Sequence, residues 1–220
     1  ALQAAAPVPY LVALDQEGGA VSRLDALPGW QGGTPGAAEL ATWPADSVRA
    51  EGERIGRALH GLGINLNLAP VLDSTRAWNR QPSWLDVRGR AFGAADAEIL
   101  PPARAFASGC REAGVGCITK HFPGYDVTTN SDLEPARSGA QRTAVAAGAA
   151  RFAAAADVTV GVMMASVIYP ALDDAPAVLS PAVVGLAREA VGDGLVMTDD
   201  LWGTALRAWR RPDLQILPAE

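Results

Sequence analysis

The chain has 220 residues, of which 49% are hydrophobic and 19% charged, a composition typical of a globular protein that buries one sizeable core. Its net charge of −6 argues against a surface that binds phosphates or nucleic acid, and it favours a neutral or cationic partner. No apolar run reaches the roughly 18 residues that a transmembrane helix requires, so we expect no such helix.

The first ten residues do not have the pattern of an intact signal peptide, although they are compatible with a mature exported protein whose leader has been removed. The chain has two cysteines, Cys110 and Cys117, which lack the spacing of a disulfide framework or a metal site. We expect two buried thiols, with a disulfide or a reactive cysteine as the alternative. The sequence indicates no metal and no cofactor, and it leaves the compartment and the oligomeric state open.

Short apolar runs alternate along the chain with segments of helical period. The predicted strands are the apolar runs at residues 10–14, 64–69, 115–119, 158–165 and 194–197. The predicted helices are residues 47–62, 94–113, 142–156 and 181–191. Gly63 and Gly114 follow two of these helices as stop signals, and Ser180 followed by Pro181 is a strong start signal for the last. This alternation predicts parallel strands joined by helical crossovers.

Polar residues follow almost every apolar run. They are Asp15, Asp73, Lys120, His121, Ser166 and Asp199. In a doubly wound sheet the site gathers at one switch point, whereas in a barrel the carboxyl ends of many strands meet at one mouth. No Gly-x-Gly-x-x-Gly motif follows a strand, which weakens a dinucleotide-binding interpretation. The sequence therefore predicts a (β/α) barrel.

Only about five strands are recognisable, whereas a complete eight-stranded barrel usually takes about 250 residues. We expect the barrel in this chain to be incomplete, by roughly two strands at the front and one at the back.

Four motifs in order resemble the N-terminal catalytic domain of glycoside hydrolase family 3, and most of all its bacterial β-N-acetylhexosaminidases. They are LDQEGG at residues 14–19 together with Val21 and Arg23, GINLNLAPVLD at 63–73, KHFPG at 120–124 and GLVMTDD at 194–200. The resemblance implies a (β/α)8 barrel of which strands three to seven are recognisable. It also implies a single barrel domain over residues 1–220.

The resemblance implies that Asp199 is the nucleophile of a retaining glycosidase, which forms a covalent bond to the anomeric carbon. The alternative is that an acid at this point caps the helix that follows, and for Asp200 we favour that structural role.

By the same resemblance, five residues bind the sugar: Asp15, Arg23, Arg90, Lys120 and His121. A carboxylate can accept hydrogen bonds from two hydroxyls, and a guanidinium can donate in fixed geometry. For each of the two arginines, the alternative is a salt bridge that ties a loop. Lys120 and His121 are adjacent, so a bend is needed for both to reach one sugar, and Phe122-Pro123-Gly124 supplies it, with a possible cis peptide. We expect Glu17 to be structural and Asp73 to orient the basic groups.

One loop departs from the family pattern. The hexosaminidases place an Asp-Ser-His sequence after KHFPG, and its histidine is the general acid/base. Here an alignment without a gap puts Leu133 at that position, and a shift by one residue puts Asn130-Ser-Asp132 there. The only other histidine of the chain, His60, lies in a predicted helix. The candidates for a substitute acid are Asp132, then Glu134, then Asp126.

Three functions remain open on the sequence. The first is a retaining enzyme that releases terminal β-linked N-acetylglucosamine from peptidoglycan or chitin-type fragments. The second is a catalytically impaired protein that binds such sugars, and the third is a β-glucosidase of the same family. The partner in each case is a small carbohydrate, and both a bacterial cytoplasmic and an exported or lipid-anchored location fit.

Overall fold

A computed structural model describes residues 7–203, 206 and 209 of the chain. Its strands are β1 (Ala13–Leu14), β2 (Leu66–Asn67), β3 (Gly116–Phe122), β4 (Gly161–Met164) and β5 (Leu195–Thr198). All neighbours pair in parallel, and the order in the sheet is β1-β2-β3-β4-β5. A doubly wound sheet reverses its order at a switch point, and this sheet does not. The order confirms the predicted barrel-type arrangement, with five strands in the described residues.

Helices connect the strands at nearly the predicted positions. The α-helices are α1 (Ala37–Leu40), α2 (Ala45–Gly61), α3 (Asp96–Glu112), α4 (Arg142–Ala153) and α5 (Pro181–Val191). Three short 3-10 helices are Leu24–Ala26, Asp86–Arg88 and Ala177–Leu179. Helix α5 begins as predicted, because the Ser180 hydroxyl accepts the backbone N–H of Val183.

The first two strands are shorter than predicted because asparagine side chains replace part of the ladder. Asn65 Oδ1 accepts the N–H of Val12 at 2.8 Å, and its Nδ2 donates to the carbonyl of Tyr10 at 2.9 Å. Asn67 makes the same pair of contacts with the backbone N–H and carbonyl of Gln16. The two amides therefore tie the segment before and after β1 to β2, and they fix the start of the site-bearing loop.

The core has two parts. The larger lies between the sheet and the helices, where α2 and α3 pack so closely that a Cβ on Gly52 would stand 2.2 Å from the carbonyl oxygen of Phe106. The smaller lies on the concave face of the sheet, where Leu66, Ile118 and Met163 contact one another. Side chains from neighbouring strands fill the interior of a barrel in this way.

Two further observations bear on the sequence predictions. Cys110 and Cys117 are both buried and carry free thiols. Among the described residues, no helix is long and apolar enough to cross a membrane. The predicted single domain over residues 1–220 stays a prediction, and its last segment, 210–220, lies outside the described residues.

Candidate active site

All of the predicted site residues line one cavity of about 220 Å³ at the carboxyl ends of the strands. They are Asp15, Arg23, Arg90, Lys120, His121, Asp132 and Asp199. Lys120 and His121 lie at the end of β3, Asp15 and Asp199 directly follow β1 and β5, and the others lie in loops. The parallel sheet brings them together, because it places the carboxyl ends of its strands at one edge.

Lys120 and His121 both face this cavity because β3 is irregular at its end. The pairing with β4 runs from Lys120 opposite Met163 directly to Phe122 opposite Met164, so that His121 lies in a bulge. The peptide bonds Lys120–His121 and Phe122–Pro123 are both cis. The cis peptide expected in the bend at Phe122-Pro123-Gly124 is present, and the bulge at His121 shows that the bend begins earlier than predicted.

Lys120 is the centre of what we call the charged cluster: Asp15, Glu17, Arg90 and Lys120. The ammonium of Lys120 is 3% exposed, donates to Asp15 Oδ1 and stands 2.7 Å from Glu17 Oε1. Arg90 Nε and Nη2 donate to the two oxygens of Glu17 at 2.8 Å each. Charges of opposite sign therefore alternate through the cluster, and each buried charge has a partner.

Glu17 connects the two cations of the cluster. Burial alone would raise the pKa of Glu17, but Lys120 and Arg90 outweigh burial and lower the pKa to about 2. The salt bridge that was the alternative role of Arg90 is thus present, and Arg90 nevertheless lines the cavity. The sequence analysis gave Glu17 a structural role without its partners, since they lie 73 and 103 positions away along the chain.

Asp73 holds the end of β3 in place. It is fully buried, its Oδ2 lies 2.7 Å from Nδ1 of His121, and its two oxygens accept the His121 backbone N–H at 3.2 and 3.1 Å. Because a carboxylate only accepts hydrogen bonds, Nδ1 is the donor, and Nε2 is the ring nitrogen left for a ligand. The predicted orienting role of Asp73 agrees with these contacts.

Arg23 differs from the other cations. It is exposed, and in residues 7–203 its guanidinium makes no ion pair. Its backbone N–H donates to the side-chain oxygen of Gln16 at 2.8 Å, which anchors the chain beneath the side chain. The alternative of a loop salt bridge therefore finds no partner in the described residues.

Asp199 follows β5 directly and is half-buried at the cavity wall. One of its oxygens accepts the N–H of Asp200 at 2.8 Å. Asp200 is exposed, and its Oδ1 accepts the N–H of Trp202 at 2.8 Å. Its helix-capping role stays a prediction. The two neighbouring acids therefore have different surroundings, and only Asp199 borders the cavity.

Residues 125–134, which we call the acid loop, supply the second carboxylate. Asp132 lines the cavity, and its pKa is raised by burial and further by the charge of Asp199. The exposed Glu134 and the half-buried Asp126 do not border the cavity. Leu133 is 67% exposed, so the alignment that is shifted by one residue is the one that brings a carboxylate to the site.

Asp126 lies at the base of the acid loop instead. It borders a separate cavity of about 490 Å³, its Oδ2 accepts the Ser138 hydroxyl at 2.7 Å, and its Oδ1 is buried with no hydrogen-bond partner in the described residues. Burial raises the pKa of Asp126 to about 6. These contacts give Asp126 a structural place, away from the cavity that holds Asp199.

Several residues of the wall were not predicted. They are Trp84, Leu85, Tyr125, Asn130 and Ser131, whereas Val21, which also lines the cavity, belongs to the first family motif. Most lie in loops, where neither hydrophobic period nor a family motif distinguishes a wall residue from any other loop residue. Tyr125 had a usable signal, since it directly follows KHFPG and is an aromatic residue in an otherwise polar loop.

The sequence of the chain matches a known protein family over nearly its whole length. Residues 1–212 match the model of the glycosyl hydrolase family 3 N terminal domain. The chain belongs to glycoside hydrolase family 3. The family membership confirms the resemblance that the four motifs indicated, and with it the barrel-type fold.

Relatives from family 3 are similar to this chain along most of its length. Beta-hexosaminidase LpqI of Mycobacterium tuberculosis is 37% identical over 90% of this chain and 52% of its own length. The beta-N-acetylhexosaminidase of Beutenbergia cavernae superposes with a TM-score of 0.80 at 34% identity, over 94% of this chain and 63% of that one. A family 3 beta-N-acetylglucosaminidase from Paenibacillus superposes with a TM-score of 0.81 at 31% identity, over 92% of this chain and 39% of that one. The chain spans about half the length of the curated relative it matches.

Proposed function

We propose that the protein is a retaining glycoside hydrolase that releases terminal β-linked N-acetylglucosamine from peptidoglycan or chitin-type fragments. One observation carries the proposal. A single cavity at the strand ends is bordered by two carboxylates, Asp199 and Asp132, together with a charged cluster suited to sugar hydroxyls. The names of the family 3 relatives, which are hexosaminidases and a glucosaminidase, support the choice of sugar.

The first half of the reaction forms a covalent intermediate. The ionised Asp199 attacks the anomeric carbon, a new C1–Oδ bond forms, and the bond from C1 to the leaving oxygen breaks. Asp132 gives its proton to that leaving oxygen. The raised pKa of Asp132 suits this role, because burial and the charge of Asp199 keep its carboxyl protonated to higher pH.

The second half reverses the proton transfer. Asp132, now ionised, takes a proton from water, the water oxygen attacks C1, and the bond to Asp199 breaks, so that the sugar leaves with retained configuration. Asp15, Lys120 and His121 hold the hydroxyls through both steps. The ion pairs and the Asp73 contact fix these groups before substrate arrives, so little ordering remains to be done on binding.

A second candidate is a protein that binds amino sugars without useful turnover. One observation favours it: Asp132, the candidate acid on the loop that departs from the family pattern, is exposed. Proton donation to the leaving group is worth roughly 10²–10⁴-fold in rate. A misplaced acid would therefore leave binding intact and remove most of the activity.

Hydrolysis of an aryl β-N-acetylglucosaminide by the full-length protein tests the proposal. We expect turnover that Asp199→Asn lowers by about 10⁴-fold or more and that the matched variant Asp200→Asn leaves nearly intact. Activity unchanged in Asp199→Asn would refute the nucleophile. Saturable binding of N-acetylglucosamine without turnover would favour the binding protein, and faster cleavage of the aryl β-glucoside would favour a β-glucosidase.

A further inference from the structure

The position of Asp132 needs an explanation, because its residue is exposed and its loop has no regular secondary structure. Asp132 itself makes one local backbone contact, in which its N–H donates to Asn130 Oδ1 at 3.0 Å. Two neighbours of Asp132 in the acid loop, Thr129 and Ser131, are instead hydrogen-bonded to Tyr125.

Tyr125 is tied to the sugar-binding side of the site. Its backbone N–H donates to Asp73 Oδ1 at 2.6 Å, and Asp73 is the same carboxylate that holds the ring and the backbone N–H of His121. The aromatic rings of Tyr125 and His121 meet edge to face, with centroids 5.6 Å apart. Tyr125 is only 4% exposed. The hydrogen bond to Asp73 and the ring contact therefore fix the main chain and the ring of Tyr125 relative to His121.

The hydroxyl of Tyr125 is tied to the acid loop. It donates to the carbonyl of Thr129 at 2.7 Å and accepts the N–H of Ser131 at 2.7 Å. These two bonds fold the loop back on the residue at its start and bury Ser131, which is 3% exposed and directly precedes Asp132. A neutral phenol can donate and accept at once, a phenolate cannot donate, and phenylalanine can do neither.

We propose that Tyr125 is the positioning residue that sets Asp132 at the leaving group, by holding Ser131 with its hydroxyl while Asp73 holds its backbone beside His121. The inference rests on the proposed function, since it assigns how the acid of that reaction is placed. Tyr125 keeps its own proton throughout and acts through Ser131. Burial raises the pKa of Tyr125, which preserves the neutral phenol that the two hydrogen bonds require.

The variant that tests this role is Tyr125→Phe in the full-length protein, because it keeps the ring against His121 and removes only the hydroxyl. The matched control is Tyr169→Phe, since the Tyr169 hydroxyl is also buried and donates to the carbonyl of Gly124, outside the 129–131 turn. Tyr125→Phe loses two hydrogen bonds of a buried phenol and Tyr169→Phe loses one, so a general loss of stability affects both.

Two readouts are needed. The first is the ratio of kcat/KM for an aryl glycoside with a good leaving group to that for one with a poor leaving group. Tyr125→Phe is expected to lower kcat/KM for the glycoside with the poor leaving group by roughly tenfold more than kcat/KM for the one with the good leaving group, with KM little changed. The reason is that only the poor leaving group depends on a correctly positioned acid. Tyr169→Phe is expected to leave the ratio unchanged.

The second readout is hydrogen exchange of the Ser131 amide, which does not require turnover. We expect exchange in Tyr125→Phe to be roughly tenfold faster than in the wild type and in Tyr169→Phe. Unchanged exchange overturns the positioning role, and so does faster exchange with an unchanged leaving-group ratio. If the wild type shows no turnover, the proposed function fails and the catalytic part of this inference fails with it, while the exchange result still decides whether Tyr125 orders the loop.

Discussion

The charged cluster and the acid loop border the same cavity but are built in opposite ways. The cluster is held by ion pairs between residues that are 73, 103 and 105 positions apart, and Lys120 and Glu17 in it are almost fully buried. The tip of the acid loop, residues 129–132, is held by hydrogen bonds that span two, four and six positions, and Asp132 in it is exposed. The base of the loop is tied to distant segments, since the Tyr125 N–H donates to Asp73 and the carbonyls of Asp126 and Val127 accept the N–H groups of Trp78 and Trp84. The charged cluster therefore depends on the whole sheet, and the tip that carries Asp132 depends mainly on its own turn.

This difference predicts how costly a change is in each region. A change in the charged cluster leaves a buried charge without its partner, so it is costly. A change at Asp132 alters an exposed position of a local turn, so we expect it to cost little stability and to leave the sugar-binding side in place.

The strongest effect on activity is expected from removing the carboxyl of Asp132, which changes the acid loop and leaves the charged cluster intact. Asp132→Asn should lower kcat/KM for a poor leaving group by roughly 10²–10⁴-fold, because no proton donor remains, and should change the free energy of unfolding by less than about 0.5 kcal/mol. In the wild type, activity should fall as pH rises through the pKa of Asp132, since the acid must be protonated, and the variant should lose this dependence. Glu134→Gln is the control, and an equal loss there would contradict the assignment.

The next strongest effect is a loss of stability, which we expect when the charge of Glu17 is removed from the charged cluster. Glu17→Gln should lower the free energy of unfolding by about 3–5 kcal/mol, because Lys120 and Arg90 then remain buried without the charge that joins them. The matched control is Glu53→Gln, whose partner Arg57 is 71% exposed, and the expected loss there is under about 1 kcal/mol. Urea unfolding at neutral pH measures both. Equal losses would show that the cluster is no more coupled than a surface pair.

The smallest effect concerns the pH dependence of the same cluster. The pKa of Glu17 is about 2 in the folded chain and 4.5 ordinarily, so its ionised form stabilises the fold fully above about pH 4.5. That contribution, on the order of 3 kcal/mol, is lost as the pH falls from about 4.5 towards 2. Urea unfolding of the wild type should therefore weaken more steeply over this range than that of Glu17→Gln. Parallel curves for the two proteins would contradict the lowered pKa.

The sequence was informative wherever a pattern is local. Apolar runs predicted the strands, and Ser180 with Pro181 predicted the start of α5. Four of the polar residues after the runs, Asp15, Lys120, His121 and Asp199, meet in one cavity as predicted, because parallel strands bring their carboxyl ends together. The buried Ser166 does not border that cavity. The short pairing of β1 was not predictable, since it depends on where the Asn65 amide lies in space.

Other parts of the site depend on contacts that span the chain or on the path of a loop. Glu17 was recognisable as structural, but its link between Lys120 and Arg90 appears only when three distant segments are folded together. The bulge that turns Lys120 and His121 to one side depends on the register with β4. Tyr125 directly follows the KHFPG motif, but its link to Thr129 and Ser131 depends on the path of the loop and could not be read from the sequence.

We propose that Asp199 forms a covalent bond to the sugar, and trapping the glycosyl-protein is the sharpest test of that bond. A 5-fluoro analogue of N-acetylglucosamine with an activated leaving group slows the second half of the reaction, so the glycosyl-protein should accumulate. Fragmentation of the labelled peptide should place the sugar on Asp199, and Asp200→Asn should still be labelled. A label on Asp200 or Asp132, or no label while the same analogue is turned over, would contradict the account.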